Sequence, residues 1–410
     1  MAFPMSSALS IEAQLALLRR GTCEIISEND LAEKLKAGKP LRVKLGVDPT
    51  VAHVTLGWAV VLRKLRDFQK LGHTACLIIG DFTAQIGDPS GKSKTRPQLS
   101  REEVQKNVEA VSQQVYKILD PEKTEISFNA DWLGTMTFAD VIKLAAKTTV
   151  AQIMEREDFA NRWEEHRPIA LHEILYPLCQ GYDSVAIKSD IELGGNDQKF
   201  NNLVGRQLQV HFGQDPQVVM LCPLLIGTDG KEKMSQSLGN YISIMDSPND
   251  MYGKTMSIPD DLLENWFELC TDVPMEEARE LCAKAKSGEI NPRDAKRRLA
   301  RELVTLYHGV EAAQEADDYF VNTFSKREQP VDAPEVDIPA ELIVDGQIAM
   351  AALIGGLGLA KSNGAARDLI KQGAVALDGE KYDDPFGKLS PDDLRGKILK
   401  VGRHQFRQLK

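Results

Sequence analysis

Two short apolar runs, LRVKLGV at residues 41–47 and TACLIIG at 74–80, each lead into an aspartate, Asp48 and Asp81, and they enclose the amphipathic stretch VVLRKLRDFQKLG. Runs of this length suit strands, and the apolar spacing between them suits a helix, so the segment reads as strand, crossover helix and parallel strand. No other feature constrains the fold as much. Parallel strands need crossovers, and crossovers place helices on the faces of the sheet. Such a unit is half of a doubly wound α/β fold, whose ligands sit beyond the carboxyl ends of the strands.

Further along, helical periodicity runs through residues 100–119 and 137–157, a strand is expected at 124–129, a helix at 169–182 and a strand near 184–193. SDIELGGNDQKFNNLVGRQLQ then passes from strand through a glycine pair into a helix, and QVVMLC at 217–222 closes the apolar strands. The expected organisation is a Rossmann-like domain over 1–246 and a charged helical domain over 247–327. A linker at 328–341 and a small α+β domain at 342–410 follow. The linker rests on REQPVDAPEVDIPAE, whose three prolines and five acids disfavour a helix.

A hydrophobic content of 42% with 27% charged residues is that of a globular chain. No apolar run approaches the roughly 18 residues of a membrane span. The N-terminus lacks the pattern of a signal peptide, so a cytoplasmic protein with no membrane partner is expected. The cysteines (Cys23, Cys76, Cys179, Cys222, Cys270, Cys282) form no Cys-x-x-Cys pair and have no histidine at ligand spacing, so no metal site is expected. The net charge of -10 argues against general coating of nucleic acid, yet RGKILKVGRHQFRQLK at the C-terminus has six Lys or Arg and no acid. That end suits a local contact with RNA or phosphate, or a solvated tail.

Four polar stretches fall where such a sheet would hold a ligand. DPTVAHVTLGW at 48–58 follows the first strand; GDPSGK at 87–92 is good turn chemistry; ELGGNDQ at 192–198 precedes a helix; KEKMSQSLGN at 231–240 is a loop after a strand. In YPLCQGYDS, Tyr176, Gln180 and Asp183 share one helical face, which by itself suits solvent as well as a site. Each stretch alone is compatible with an ordinary turn, loop or surface.

Taken in order, DPT, TLG, GDPSGK, YPLxQxYD, ELGGNDQ and KMSQS resemble the tyrosyl-tRNA synthetase family, in the bacterial subgroup whose loop reads KMSKS. LGLAKSNGAARDLIKQGAVALDGEKY at 357–382 is similar to that family's terminal RNA-binding domain. The resemblance implies a ligase that activates L-tyrosine with ATP and passes it to tRNA(Tyr). It also implies magnesium carried on the ATP, no prosthetic group and a homodimer. It places Asp183 on the substrate phenol, Asp88, Tyr176, Gln180 and Gln198 on the ammonium and carboxylate ends of the tyrosine, and Lys44 among the tyrosine-binding positions, where many members have a residue that helps bind the phenol hydroxyl. Asp48, Thr50, Gly57, Gly195, Asp197, Lys233, Met234, Ser235, Gln236 and Ser237 would face ATP. Lys92, Arg96, Lys361, Arg367 and Lys371 would contact tRNA.

The chain departs from the family pattern in four places. Lys44 stands where many members have a tyrosine, Thr55 and Trp58 replace the two signature histidines, and Gln236 replaces the second signature lysine. The remaining donors, Thr55, Trp58, Gln236 and Lys233, are the catalytic candidates, because phosphoryl chemistry needs donors aimed at phosphate oxygens. An impaired paralogue that binds RNA, or that activates tyrosine outside translation, is the alternative.

Overall fold

The computed structural model describes residues 9–48, 53–88, 101–325, 333–344, 346–402 and 405–410. It separates into two compact units, Met1–Ala313 and Gln314–Lys410.

The first unit is built on six strands: β1 (Glu24–Ile26), β2 (Arg42–Val47), β3 (Thr74–Ile79), β4 (Thr124–Phe128), β5 (Ile191–Gly195) and β6 (Val218–Cys222), in the order β1-β6-β5-β2-β3-β4. Every neighbouring pair is parallel except β1 with β6. This is the doubly wound, Rossmann-like α/β sheet that the paired apolar runs predict. The chain winds from β2 outward through β3 to β4, then crosses to β5 on the other side of β2. The order therefore reverses between β2 and β5, and a crevice opens beyond their carboxyl ends.

The crossover helix Leu56–Lys70 shows how the sequence builds this layer. Thr55 caps it, with its hydroxyl accepting the Trp58 N–H at 3.4 Å, and the chain leaves it near Gly72, whose φ of 88° suits a residue without Cβ. Its buried face carries Leu56, Ala59, Leu62, Leu65 and Phe68 against the sheet. Each large side chain so buried contributes about 1.5–3 kcal/mol.

Two expected elements differ. The run 137–157 is not one helix: Thr137 and Thr149 each close a capping box, dividing it into helices Phe138–Ala145 and Val150–Met154. The helix expected at 169–182 is Leu171–Ile187, and its strand starts only at Ile191. Val185 and Ile187 look like strand residues, but the helix packs tightly on Lys199–His211, with no room for a Cβ at Gly181 beside Leu208 and Gly205. That packing overrides the local β preference until Lys188, at φ 52°, ends the helix.

Helices Pro248–Met256, Leu263–Cys270, Met275–Ser287 and Pro292–His308 complete the first unit. The second unit holds β7 (Glu335–Val336), β8 (Ile348–Ala349), β9 (Val375–Leu377), β10 (Glu380–Lys381), β11 (Lys388–Leu389), β12 (Ile398–Val401) and β13 (Gln405–Leu409). Its main sheet has the order β10-β9-β12-β13-β7 over a core that includes Leu353, Ile354, Ile370 and Leu399. β7 lies inside the Pro-rich stretch expected as a linker: it pairs parallel with β13, because a short edge strand tolerates flanking prolines.

Candidate active site

A cavity of about 530 Å³ occupies the crevice between β2 and β5, within the range of small-molecule sites. Asp48, at the end of β2, anchors one wall. Its Oδ2 accepts the Tyr176 hydroxyl at 2.8 Å and its Oδ1 accepts the Thr83 hydroxyl at 2.7 Å. Gly80 makes this possible, since a Cβ there would lie 2.0 Å from Asp48 Oδ1. Burial, and then the Asp48 charge, raise the Tyr176 phenol well above its ordinary pKa, so it stays a donor.

Beside it, Gln198 donates to Asp88 Oδ2 at 2.8 Å, and Arg156 lies 3.5 Å from Asp88 Oδ1. The Asn201 amide donates to Gln180 Oε1 at 3.1 Å and to Gln198 Oε1 at 3.0 Å, which orients both glutamines. The result is a polar pocket rim with carboxylates and amide oxygens, suited to a ligand ammonium.

Asp183 sits deeper, 2% exposed. Its Oδ1 accepts the Trp132 indole N–H at 2.8 Å and its Oδ2 accepts from the Asn129 amide at 3.3 Å. Burial pushes its carboxyl up to about 7, against the pull of Lys44, Trp132 and Asn129. A carboxylate held this way can accept a hydroxyl, and leaving it unpaired would cost about 1–3 kcal/mol or more.

The opposite wall is formed by Gly195, Asp197, Gly57, Trp58 and the loop 233–237. Lys233 Nζ lies 3.1 Å from Asp197 Oδ2. The Gly57 N–H donates to Met234 Sδ at 3.3 Å, and the Gln236 amide donates to the His53 carbonyl. Ser235 and Ser237 share a hydroxyl hydrogen bond of 2.9 Å. Thr55 is buried, and its hydroxyl serves the helix as cap while also lining the cavity. This wall offers a lysine, an indole, an amide and hydroxyls, a donor set that suits phosphate oxygens.

The candidates named for tyrosine and ATP thus lie on one cavity, with exceptions. Lys44 does not line it. The ammonium is 0% exposed and donates to the Gln180 carbonyl, Ser184 and Glu192 at 2.8–2.9 Å. It forms a buried ion pair with Glu192, its register partner on β5. Thr50, Lys92 and Arg96 lie outside the described residues. Lys361, Arg367 and Lys371 are in the second unit, all exposed, on and just before helix Asn363–Lys371. Arg367 also stacks over Phe386 at 5.0 Å.

Asn129, Trp132, Thr83, Arg156, Asn201 and Glu192 were not expected from the sequence. NADWL directly follows β4, and polar residues at the carboxyl end of a parallel strand were a signal for the first two.

The chain is similar to known proteins in sequence and in fold. The sequence model described as tRNA synthetases class I (W and Y) matches residues 36–325. A tyrosine--tRNA ligase of Moorella thermoacetica is 52% identical over 403 residues, covering 97% of this chain and 96% of its own. One from Thermotoga maritima is 52% identical over 396 residues, covering 96% of each. In fold, the tyrosyl-tRNA synthetase of Archaeoglobus fulgidus, solved with L-tyrosine, superposes with a TM-score of 0.63 at 23% identity, covering 75% of this chain and all of that one. With a family match over most of its length and half its residues shared with such relatives, the chain belongs to the class I tRNA synthetases, among the tyrosine--tRNA ligases.

Proposed function

We propose that this chain activates L-tyrosine with ATP to tyrosyl-adenylate and transfers it to the 3' end of tRNA(Tyr). The observation that carries this reading is one cavity lined both by the buried carboxylate of Asp183 and by the Lys233–Asp197 pair. A phenol reaching Asp183 puts the amino acid's ammonium among Asp88, Tyr176, Gln180 and Gln198. Its carboxylate then points toward the wall of Gly57, Asp197 and Lys233.

In the first step a tyrosine carboxylate oxygen bonds to the α-phosphorus of ATP and pyrophosphate leaves. In the second the tRNA ribose hydroxyl takes the acyl group and AMP leaves. No side-chain nucleophile is needed; positioning and charge stabilisation supply the rate. Magnesium enters as the ATP complex, as it usually binds through substrate phosphates. Lys233, Thr55, Trp58 and Gln236 serve as donors to the phosphates, and Thr50 is a further phosphate contact by its motif.

Lys361, Arg367 and Lys371 suit an RNA backbone, as do Lys92 and Arg96 for the acceptor end, and the helical segment 247–327 lies on the anticodon side. A second copy of the chain is the partner for exposed apolar side chains of the first unit: Phe138, Ile142, Val150, Trp163 and Leu171 are 54–80% exposed within a single stretch of sequence. No helix among the described residues is long and apolar enough to cross a membrane.

Charging of tRNA(Tyr) with labelled tyrosine by the purified protein tests the reading. Acid-stable label on the RNA supports it; tyrosine-dependent ATP turnover without charging would place the activity outside translation.

A further inference from the structure

Lys44 on β2 and Glu192 on β5 are charged residues, 0% and 1% exposed at their side chains, joined by a 2.8 Å ion pair, and no step proposed above uses either. Glu192 also accepts from Ser184 Oγ at 3.1 Å and from the Gln217 amide. A pair this deep is rarely explained by stability, since apolar replacements of similar volume are often neutral or better. Its position offers another explanation. The Lys44 ammonium contacts the Gln180 carbonyl at 2.9 Å and Ser184 Oγ at 2.8 Å, the residues that bracket Asp183 on helix Leu171–Ile187.

The charge environment of Asp183 follows. Burial raises its carboxyl; Lys44 is the largest influence in the other direction, followed by the Trp132 and Asn129 hydrogen bonds, and Glu192 raises it again. Two more titratable groups face it from its own helix. Tyr176 is kept protonated by burial, and so is Cys179, pushed up to about 12. Lys44 is thus the nearby cation, and Glu192 the anion that tempers it.

We propose that the Lys44–Glu192 pair sets the charge of the Asp183 carboxylate, and so determines how strongly the cavity selects a phenol hydroxyl over an unsubstituted ring. Both are positioning residues that act through Asp183 and touch no substrate. The proposal rests on the tyrosine reading given above.

The two partners push Asp183 in opposite directions, which makes the test specific. L-tyrosine and L-phenylalanine binding to the full-length protein is measured by calorimetry from pH 5.5 to 9 for wild type, K44M, E192Q and K44M/E192Q. In the wild type, tyrosine affinity rises as pH passes through the Asp183 midpoint, while phenylalanine affinity stays flat. K44M moves the midpoint up by about one pH unit and lowers the tyrosine preference near neutrality about tenfold. E192Q moves the midpoint down and keeps the preference, and the double variant falls between K44M and wild type.

If K44M does not fold, the downward shift in E192Q carries the test alone. Midpoints that stay at the wild-type value, or that move the same way in K44M and E192Q, overturn the proposal while leaving the tyrosine reading intact. A wild-type protein that binds no tyrosine at any pH removes that reading instead, and the proposal with it.

Discussion

Tyr176 and Asp48 meet in one wall of the cavity, the phenol donating to Oδ2 at 2.8 Å and so tying helix Leu171–Ile187 to the end of β2. Tyr176→Phe removes only this donor. A hydrogen bond to a charged group contributes about 1.5–3 kcal/mol, so KM for tyrosine should rise about 10- to 100-fold. A far-UV spectrum and thermal midpoint close to wild type would show that the effect is local.

Gly80 is required for the same wall. Gly80→Ala brings a methyl to 2.0 Å from Asp48 Oδ1 and 2.3 Å from Thr83 Oγ1, so both must move. The expected result is a loss of about 1–3 kcal/mol in urea unfolding together with weakened binding of both ATP and tyrosine. Weakened tyrosine binding alone would mean that Asp48 does not face ATP.

Thr55 and Trp58 can be separated by their chemistry. Thr55→Ala removes a helix cap and should cost about 1 kcal/mol of stability, while Thr55→Ser restores both cap and rate. Trp58→Phe keeps the ring and deletes the N–H, so it should lower kcat with little change in stability. A loss on the order of 100-fold is expected if the indole donates to the transition state. Wild-type kcat in both Thr55→Ala and Trp58→Phe would show that neither acts as a phosphate donor.

The exposed apolar side chains of the first unit make a prediction about assembly. Phe138 is 80% and Trp163 69% exposed, so an aspartate at either position leaves the fold of one chain untouched. In light scattering the wild type should have twice the mass of one chain, and Phe138→Asp/Trp163→Asp the mass of one. A wild-type monomer would refute the second copy as partner.

The sheet was readable because its signal is local: β2 and β3 are short, largely apolar runs at a spacing that a crossover helix fills. The lining of the cavity was readable where it follows short motifs, as in Asp48, Gly195 and Asp197. What escaped depends on contacts between residues far apart in the chain. Lys44 points toward the pocket by strand alternation, but its partner, 148 residues later, is set by the pairing of β2 with β5. Trp132 gains its role only because β4 ends beside the helix that carries Asp183. The end of that helix was misplaced because Val185 and Ile187 favour strands locally, and tertiary packing outweighs that preference.

The central claim, that the cavity takes tyrosine with its phenol on Asp183 and activates it with ATP, is tested most directly by pyrophosphate exchange into ATP. The purified wild type and Asp183→Asn are compared at saturating magnesium ATP, with L-tyrosine or L-phenylalanine. Exchange should require tyrosine in the wild type, and Asp183→Asn should lose about 10- to 100-fold in kcat/KM for tyrosine while changing little toward phenylalanine. No tyrosine-dependent exchange in the wild type, or an Asp183→Asn variant that prefers tyrosine as strongly as before, would contradict it.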